Sequence, residues 1–241
     1  MSARLTGRAQ SAVVGVALLL GVTMLSLGVL TASIGTVVQS NADAADAGRV
    51  ATDLDAALDP VSATGPDSGH VSFTDGKLRR VDRSVRLLND SGVVRNESVG
   101  GLVYSNEHHR VAFSSGAVVR GTGENARFTA DPPLATSENV LLVGVARLNA
   151  SGPDTVDGTN QRVRLETNVS HRRQSLGNDS YRVAVETATP AAWERYFARQ
   201  NATTTRRDFD GDGVTSVVGQ YPGDRTTYLV VHDVRLVMRH G

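Results

Sequence analysis

Between Arg8 and Asp43 the chain carries no charged side chain, and the stretch from Ser11 to Val38 is an uncharged, largely apolar run of 28 residues. As a helix this run would extend roughly 42 Å, more than the ~30 Å hydrocarbon core of a bilayer. A cleaved secretory signal has an apolar centre of about 7–15 residues and a small-residue cleavage site. Here the run is longer, and only Thr31-Ala32-Ser33 and Asn41-Ala42-Asp43 approach such a site. A retained membrane helix in contact with lipid is therefore expected. Arg4 and Arg8 precede the run, whereas Gln39, Ser40, Asn41, Asp43 and Asp46 follow it. The positive-inside bias then leaves the N-terminus cytoplasmic and residues 40–241 outside the cell membrane.

Composition agrees with that placement. There is no cysteine, which excludes a disulfide framework and thiolate metal sites. The 25 basic and 25 acidic residues cancel, so nucleic acid is not an expected partner. About 200 residues beyond the apolar run suffice for a domain with its own core.

Within the run, Gly21, Gly28 and Gly35 recur every seven positions, and Ala32 lies four after Gly28. On a helix these small residues share one stripe, which lets a second backbone approach closely. The helix is expected to continue past the run. Val50, Leu54, Ala57 and Leu58 keep helical spacing until Asp59-Pro60, although Gly48 weakens the segment by about 1 kcal/mol relative to alanine. The expected organisation is a short cytoplasmic segment over 1–9, a long helix over 10–59 and a β-rich head over 60–241.

Beyond Pro60 the period changes. Residues 61–69 read as a loop, and Asp75-Gly76 reads as the type I′ turn of a hairpin between His70–Phe73 and Leu78–Leu88. Short strands are expected at Leu102–Tyr104, Arg110–Phe113 and Ala117–Arg120. The apolar stretch Val140–Leu148 is the best candidate for a central strand. Arg162–Val169 and Tyr181–Thr187 alternate polar and apolar residues and are expected to pair antiparallel. Thr189-Pro190 opens a short helix whose Trp193, Tyr196 and Phe197 should cover a sheet rather than stack on a ligand. Strands near Val214–Tyr221 and Thr227–Met238 complete an α+β fold: a long N-terminal helix, then a mainly antiparallel β ectodomain with one short helix.

The order Arg8-Ala9-Gln10 followed by a long apolar helix resembles the class III signal peptide of archaeal type IV pilins and archaellins. The resemblance implies cleavage by a prepilin peptidase between Ala9 and Gln10. Further along, Gly101-Leu102-Val103-Tyr104, the Phe113–Arg120 segment, Asp131-Pro132-Pro133-Leu134 and the Ala192–Phe197 segment are similar to haloarchaeal pilin-like surface proteins of unassigned role. Two features depart from that pattern. Val14 stands at the fifth position after the implied cut, where bacterial pilins carry glutamate, and the ectodomain is larger than in minimal archaeal pilins.

Six Asn-x-Ser/Thr sequons, at Asn89, Asn96, Asn149, Asn168, Asn178 and Asn201, all lie beyond the apolar run. They predict an N-glycosylated surface protein. Asp208, Asp210 and Asp212 occupy positions 1, 3 and 5 of a calcium loop, with Gly213 at the sharp turn. Position 12 is Gly219 rather than glutamate, so calcium would need a ligand from Glu194, Asp224 or Asp233. The other reading of this segment is a solvated acidic turn.

No catalytic residues are expected. His108 and His109 beside Glu107 suggest a turn, and the remaining histidines share no metal spacing. There is no G-x-S-x-G elbow, H-E-x-x-H pair or phosphate loop. The sequence thus reads as a pilin-like subunit that associates with other pilin-like subunits through its N-terminal helix and serves filament assembly or adhesion. A non-polymerising single-pass surface binding protein is the alternative, and an anchored hydrolase comes third.

Overall fold

The computed structural model describes residues 7–59 and 64–241, with the side chains of 7–13, 32 and 34–36 outside the described set. The first six residues of the expected cytoplasmic segment, and the Pro60 stop with the first loop residues after it, lie outside the described residues. Helix α1 (Gly7–Leu58) is continuous across the apolar run and the segment beyond it. Its residues up to Ala42 belong to one compact unit, and Asp43–Gly241 forms the other.

The second unit holds the strands β1 (Gly65–Val81), β2 (Ser84–Asn89), β3 (Gly92–Ser98), β4 (Gly101–Ser105), β5 (Arg110–Ser114), β6 (Ala117–Arg120) and β7 (Arg127–Ala130). They continue with β8 (Leu134–Thr136), β9 (Val140–Ser151), β10 (Thr155–Asp179) and β11 (Arg182–Glu186). Helix α2 (Pro190–Arg199) is followed by β12 (Thr203–Arg207), β13 (Ser216–Gln220) and β14 (Arg225–His240). One sheet has nine strands in the order β7-β6-β5-β4-β1-β10-β14-β9-β8, and the other has five in the order β12-β13-β11-β2-β3. Pairing is antiparallel except between β14 and β9.

The last turns of α1 cover one face of the nine-stranded sheet. Ala47, Val50, Ala51, Leu54 and Leu58, at i, i+3, i+4, i+7 and i+11, are buried against Phe73, Leu102, Val163, Leu165 and Leu236 among others. Burying Val50, Leu54 and Leu58 contributes on the order of 1.5–3 kcal/mol each before ordering costs. Two glycines mark the contact. A Cβ on Gly69 of β1 would collide with Ala57 Cβ and crowd its Cα. At Gly48 the absent side chain leaves room for Arg120, whose guanidinium crosses the helix and donates to Ala44 O at 2.7 Å. The glycine that weakens the helix locally therefore permits a tertiary hydrogen bond.

The opposite face of the same sheet meets the five-stranded sheet and α2. Leu141, Val143 and Val145 of β9 and Leu229 and Val231 of β14 pack with Val85, Val183, Val217 and the α2 aromatics. On β14 the residues facing this core are odd-numbered, whereas Val234, Leu236 and Met238 face α1. Trp193, Tyr196 and Phe197 are all buried, as core packing requires. Phe197 lies flat against Gly219 of β13, where a Cβ would meet the ring about 2.5 Å away.

Four sequence expectations change, the first being the loop over 61–69, whose last five residues already belong to β1. Asp75-Gly76 does not turn the chain, because β1 runs straight through it while pairing with β10 on one side and β4 on the other. The positive φ of Gly76, 134°, instead admits the Tyr104 ring, which packs where a Cβ would be. Arg162–Val169 lies in β10, in the other sheet from β11, so these segments do not pair. Alternation fixed a face for each strand without naming its neighbour. Val140–Leu148 lies in β9, second from the sheet edge. Leu141, Val143 and Val145 face the inter-sheet core, Ala146 and Leu148 face α1, and Val140 and Leu142 are exposed, so the apolar run does not mark a central position.

Replacing Gly69 by leucine should push α1 away from β1 and lower stability by about 1–3 kcal/mol, a cost typical of overpacking. Thermal unfolding followed by circular dichroism checks this, and an unchanged midpoint would refute close helix–sheet contact at Gly69.

Candidate functional site on the N-terminal helix

Each described side chain in the window Val14–Thr31 of α1 is exposed, and the window has a mean hydropathy of 2.2. By length and composition it can cross a membrane. Two of its hydroxyls are satisfied within the helix: Thr23 donates to Leu19 O at 2.9 Å and Thr31 to Leu27 O at 2.8 Å. These two donors need no water, which suits a hydrocarbon setting. A Cβ on Gly21 or Gly28 would meet nothing within 4 Å. The chain's own packing therefore does not require either glycine. The side chains of Arg8, Ala9, Gln10 and Ala32, and the surroundings of Gly35, lie outside the described set.

Where α1 enters the head, acidic side chains clamp it to the sheet. Asp46, 3% exposed, accepts from Thr74 N at 2.6 Å, Thr74 Oγ1 at 3.1 Å and Asp75 N at 3.3 Å, and pairs with Arg49 at 2.6 Å. One turn earlier, the Asp43 carboxylate lies 3.2 Å from His108 Nδ1. Asp53, two turns further along the same face, accepts from Ser72 N at 3.1 Å. Tyr104 OH donates to Asp75 O at 2.7 Å, and burial followed by the Asp46 charge pushes its phenol up to about 12. Helix carboxylates thus replace missing strand partners at the Thr74–Asp75 irregularity in β1. The sequence showed these acids as polar punctuation on a helix, because their partners lie 19–29 residues ahead in β1.

The acidic loop takes a different arrangement from a calcium site. Both Asp208 oxygens accept backbone amides, from Gly211 at 2.8 Å and Gly213 at 3.1 Å among others. These bonds, the Gly211 amide first, hold the Asp208 carboxyl below its ordinary value. Asp210 pairs with the buried Arg86, and Asp212 accepts from Val214 N at 2.9 Å. Gly219 sits in β13 beneath Phe197, well away from a ligand position. Among the described residues no group of three or more His, Asp or Glu side chains is placed to hold a metal ion. Phe209 lies over the outer face of the five-stranded sheet, with the Arg86 guanidinium 5.0 Å from its ring centre.

Five of the six sequon asparagines, Asn96, Asn149, Asn168, Asn178 and Asn201, are exposed. Asn149 and Asn168 flank Arg235 in one row across β9, β14 and β10. Asn89 differs: it is half-buried, its amide nitrogen donates to Asp179 at 2.9 Å and its oxygen accepts from Ser91 N at 3.0 Å.

Sequence spacing missed one histidine pair. His171 and His232 face each other directly across β10 and β14, with Nδ1 atoms 2.9 Å apart and Thr64 Oγ1 2.9 Å from His171 Nε2. Only the strand register brings together residues 61 apart. His108 and His109 do form a turn, capped by Asn106 Oδ1 through both backbone amides.

A family model described as "Family of unknown function (DUF7289)" matches residues 8–237, covering both the helix and the head. No curated protein and no solved structure matches the chain.

Replacing Asp46 by alanine removes the charged acceptor shared by the Thr74 and Asp75 amides and should cost about 1.5–3 kcal/mol, the range for hydrogen bonds to a charged group. Denaturant unfolding measures the loss, and hydrogen exchange should speed up at Thr74 and Asp75 before it does at α2. On expression in a host that glycosylates sequons, glycopeptide mass spectrometry should find Asn89 the least occupied of the six. Occupancy at Asn89 equal to the others would mean that its bond to Asp179 does not form.

Proposed function

We propose that this chain, which belongs to the DUF7289 family, is a membrane-anchored, pilin-like structural subunit that displays a glycosylated β-rich head in surface filament assembly or adhesion. One observation carries the reading. The same helix is exposed and apolar throughout its Val14–Thr31 window and, from Asp43 onward, firmly built into the head. An exposed apolar window needs lipid or other helices around it. A helix that continues from the apolar window into a folded head is what a subunit needs if it is to display that head.

The glycines fit the second kind of partner. Gly21 and Gly28 have open space around them, so neighbouring pilin-like helices could approach along that stripe. In this reading the chain is first inserted with its N-terminus cytoplasmic and its head outside, held by membrane lipid. A prepilin peptidase then cuts between Ala9 and Gln10, and the helix leaves lipid for a bundle of like helices. The exposed sequons on the head would carry glycans into the medium.

The mature N-terminus tests this pathway. Mass spectrometry of the protein from membranes should find a first residue at Gln10, and Ala9→Asp should leave the unprocessed chain in the membrane. A mature chain beginning at Met1 or Ser2 would point to a permanent single-pass anchor, and one beginning near Asn41 would point to a secreted head.

A further inference from the structure

Between the two sheets lies a cavity lined by Arg83, Arg110, Ser114, Glu186, Thr187 and Thr189, with Trp193 closing one side. It has room for a single occupant the size of a water molecule or a small ion. Arg110 opens β5, and its Nη1 is buried without a hydrogen-bond partner. Among the described residues its guanidinium has neither an ion pair nor a hydrogen bond. Arg110 as a whole is half-buried, and since a guanidinium does not shed its charge in a protein, even partial burial without a counter-ion is costly. Burial, followed by the charges of Arg83 and Arg79, disfavours its charged form. The carboxylate at the cavity wall does not offset this. Glu186 is shared between Arg83 at 3.6 Å and Arg86 at 3.9 Å, and burial raises its own carboxyl above the ordinary value.

The cavity therefore presents an uncompensated positive charge and a space too small for an organic acid. Hydroxyl donors stand beside it. Thr187 Oγ1 and Thr189 Oγ1 lie 3.2 Å apart, and since one proton serves their mutual bond, the second hydroxyl proton remains for an occupant. We propose that this cavity is a halide site, in which the Arg110 guanidinium, with Arg83 and a threonine hydroxyl in the same lining, holds one chloride ion between the two sheets. The ion would bind the folded chain only, because β5 and the turn between β11 and α2 come together only on folding. Halide should then stabilise the head by mass action.

The test uses the full chain in detergent, unfolded thermally in sodium chloride, sodium bromide or sodium gluconate at equal ionic strength. Above the dissociation constant, each tenfold rise in halide should raise the midpoint by about 3–6 °C over gluconate. Arg110→Met should lose that halide-specific rise while keeping a gluconate midpoint at least as high as the parent's, since it removes an unpaired buried charge. Anomalous scattering from a bromide-soaked crystal of the unaltered chain should give a peak beside the Arg110 guanidinium. Equal midpoints in halide and gluconate, an Arg110→Met variant with the parent's halide response, or a water with no bromide peak would each overturn the proposal.

Discussion

Contact between the last turns of α1 and one face of the nine-stranded sheet is the interaction on which the rest of the second unit depends. It buries Val50, Leu54 and Leu58, and it closes a sheet whose α1 face would otherwise present Phe73, Leu165 and Leu236 to water. Apolar burial supplies the driving force but not the register, since a helix can slide along a flat apolar surface with little penalty. Register comes from groups that tolerate one position only. Asp46 must reach the Thr74 and Asp75 amides, Ala57 must meet Gly69, and Arg120 must cross at Gly48. A one-residue slip would strand a buried carboxylate and collide a methyl group with backbone.

These polar clamps also give β1 its shape. A 17-residue strand is long for a sheet of this kind, and its alternation shifts by one near Thr74 while the same core stays covered. Upstream the buried residues are Val71 and Phe73; downstream it is Leu78. Such a switch leaves strand amides without cross-strand acceptors, and the helix supplies Asp46 in their place. Helix and irregular strand each satisfy groups that the other leaves open, so neither arrangement is stable alone at that point.

Much of this was legible in the sequence, and the unread parts share a cause. The long helix, its apolar stripe, α2 with its buried aromatics and most of the short strands follow from local period and punctuation. What stayed hidden was pairing. Asp75-Gly76 is a strong hairpin signal, yet here glycine serves an aromatic ring and not a turn, a fact that depends on Tyr104 in the adjacent strand. The β10 and β11 segments share a polar–apolar rhythm but enter different sheets. At the candidate sites the same limit applies. The acidic loop has the spacing of a cation loop, but Arg86 and three loop amides claim its carboxylates. Arg110 carries no motif at all, and its isolation is visible only once burial and neighbours are known.

The position of β14 in the sheet has a kinetic consequence. This strand follows all the others in the sequence, yet it lies between β10 and β9 and lends Val234, Leu236 and Met238 to the surface beneath α1. The element made first therefore waits for the strand made last before its docking face is complete. During synthesis β10 lacks one of its two neighbours, and the stripe through Val50 and Leu54 stays uncovered. Contacts of such long sequence separation close slowly. Through that interval the nascent head would offer open strand edges to other chains, so a factor that shields them until β14 emerges would raise the yield of folded protein.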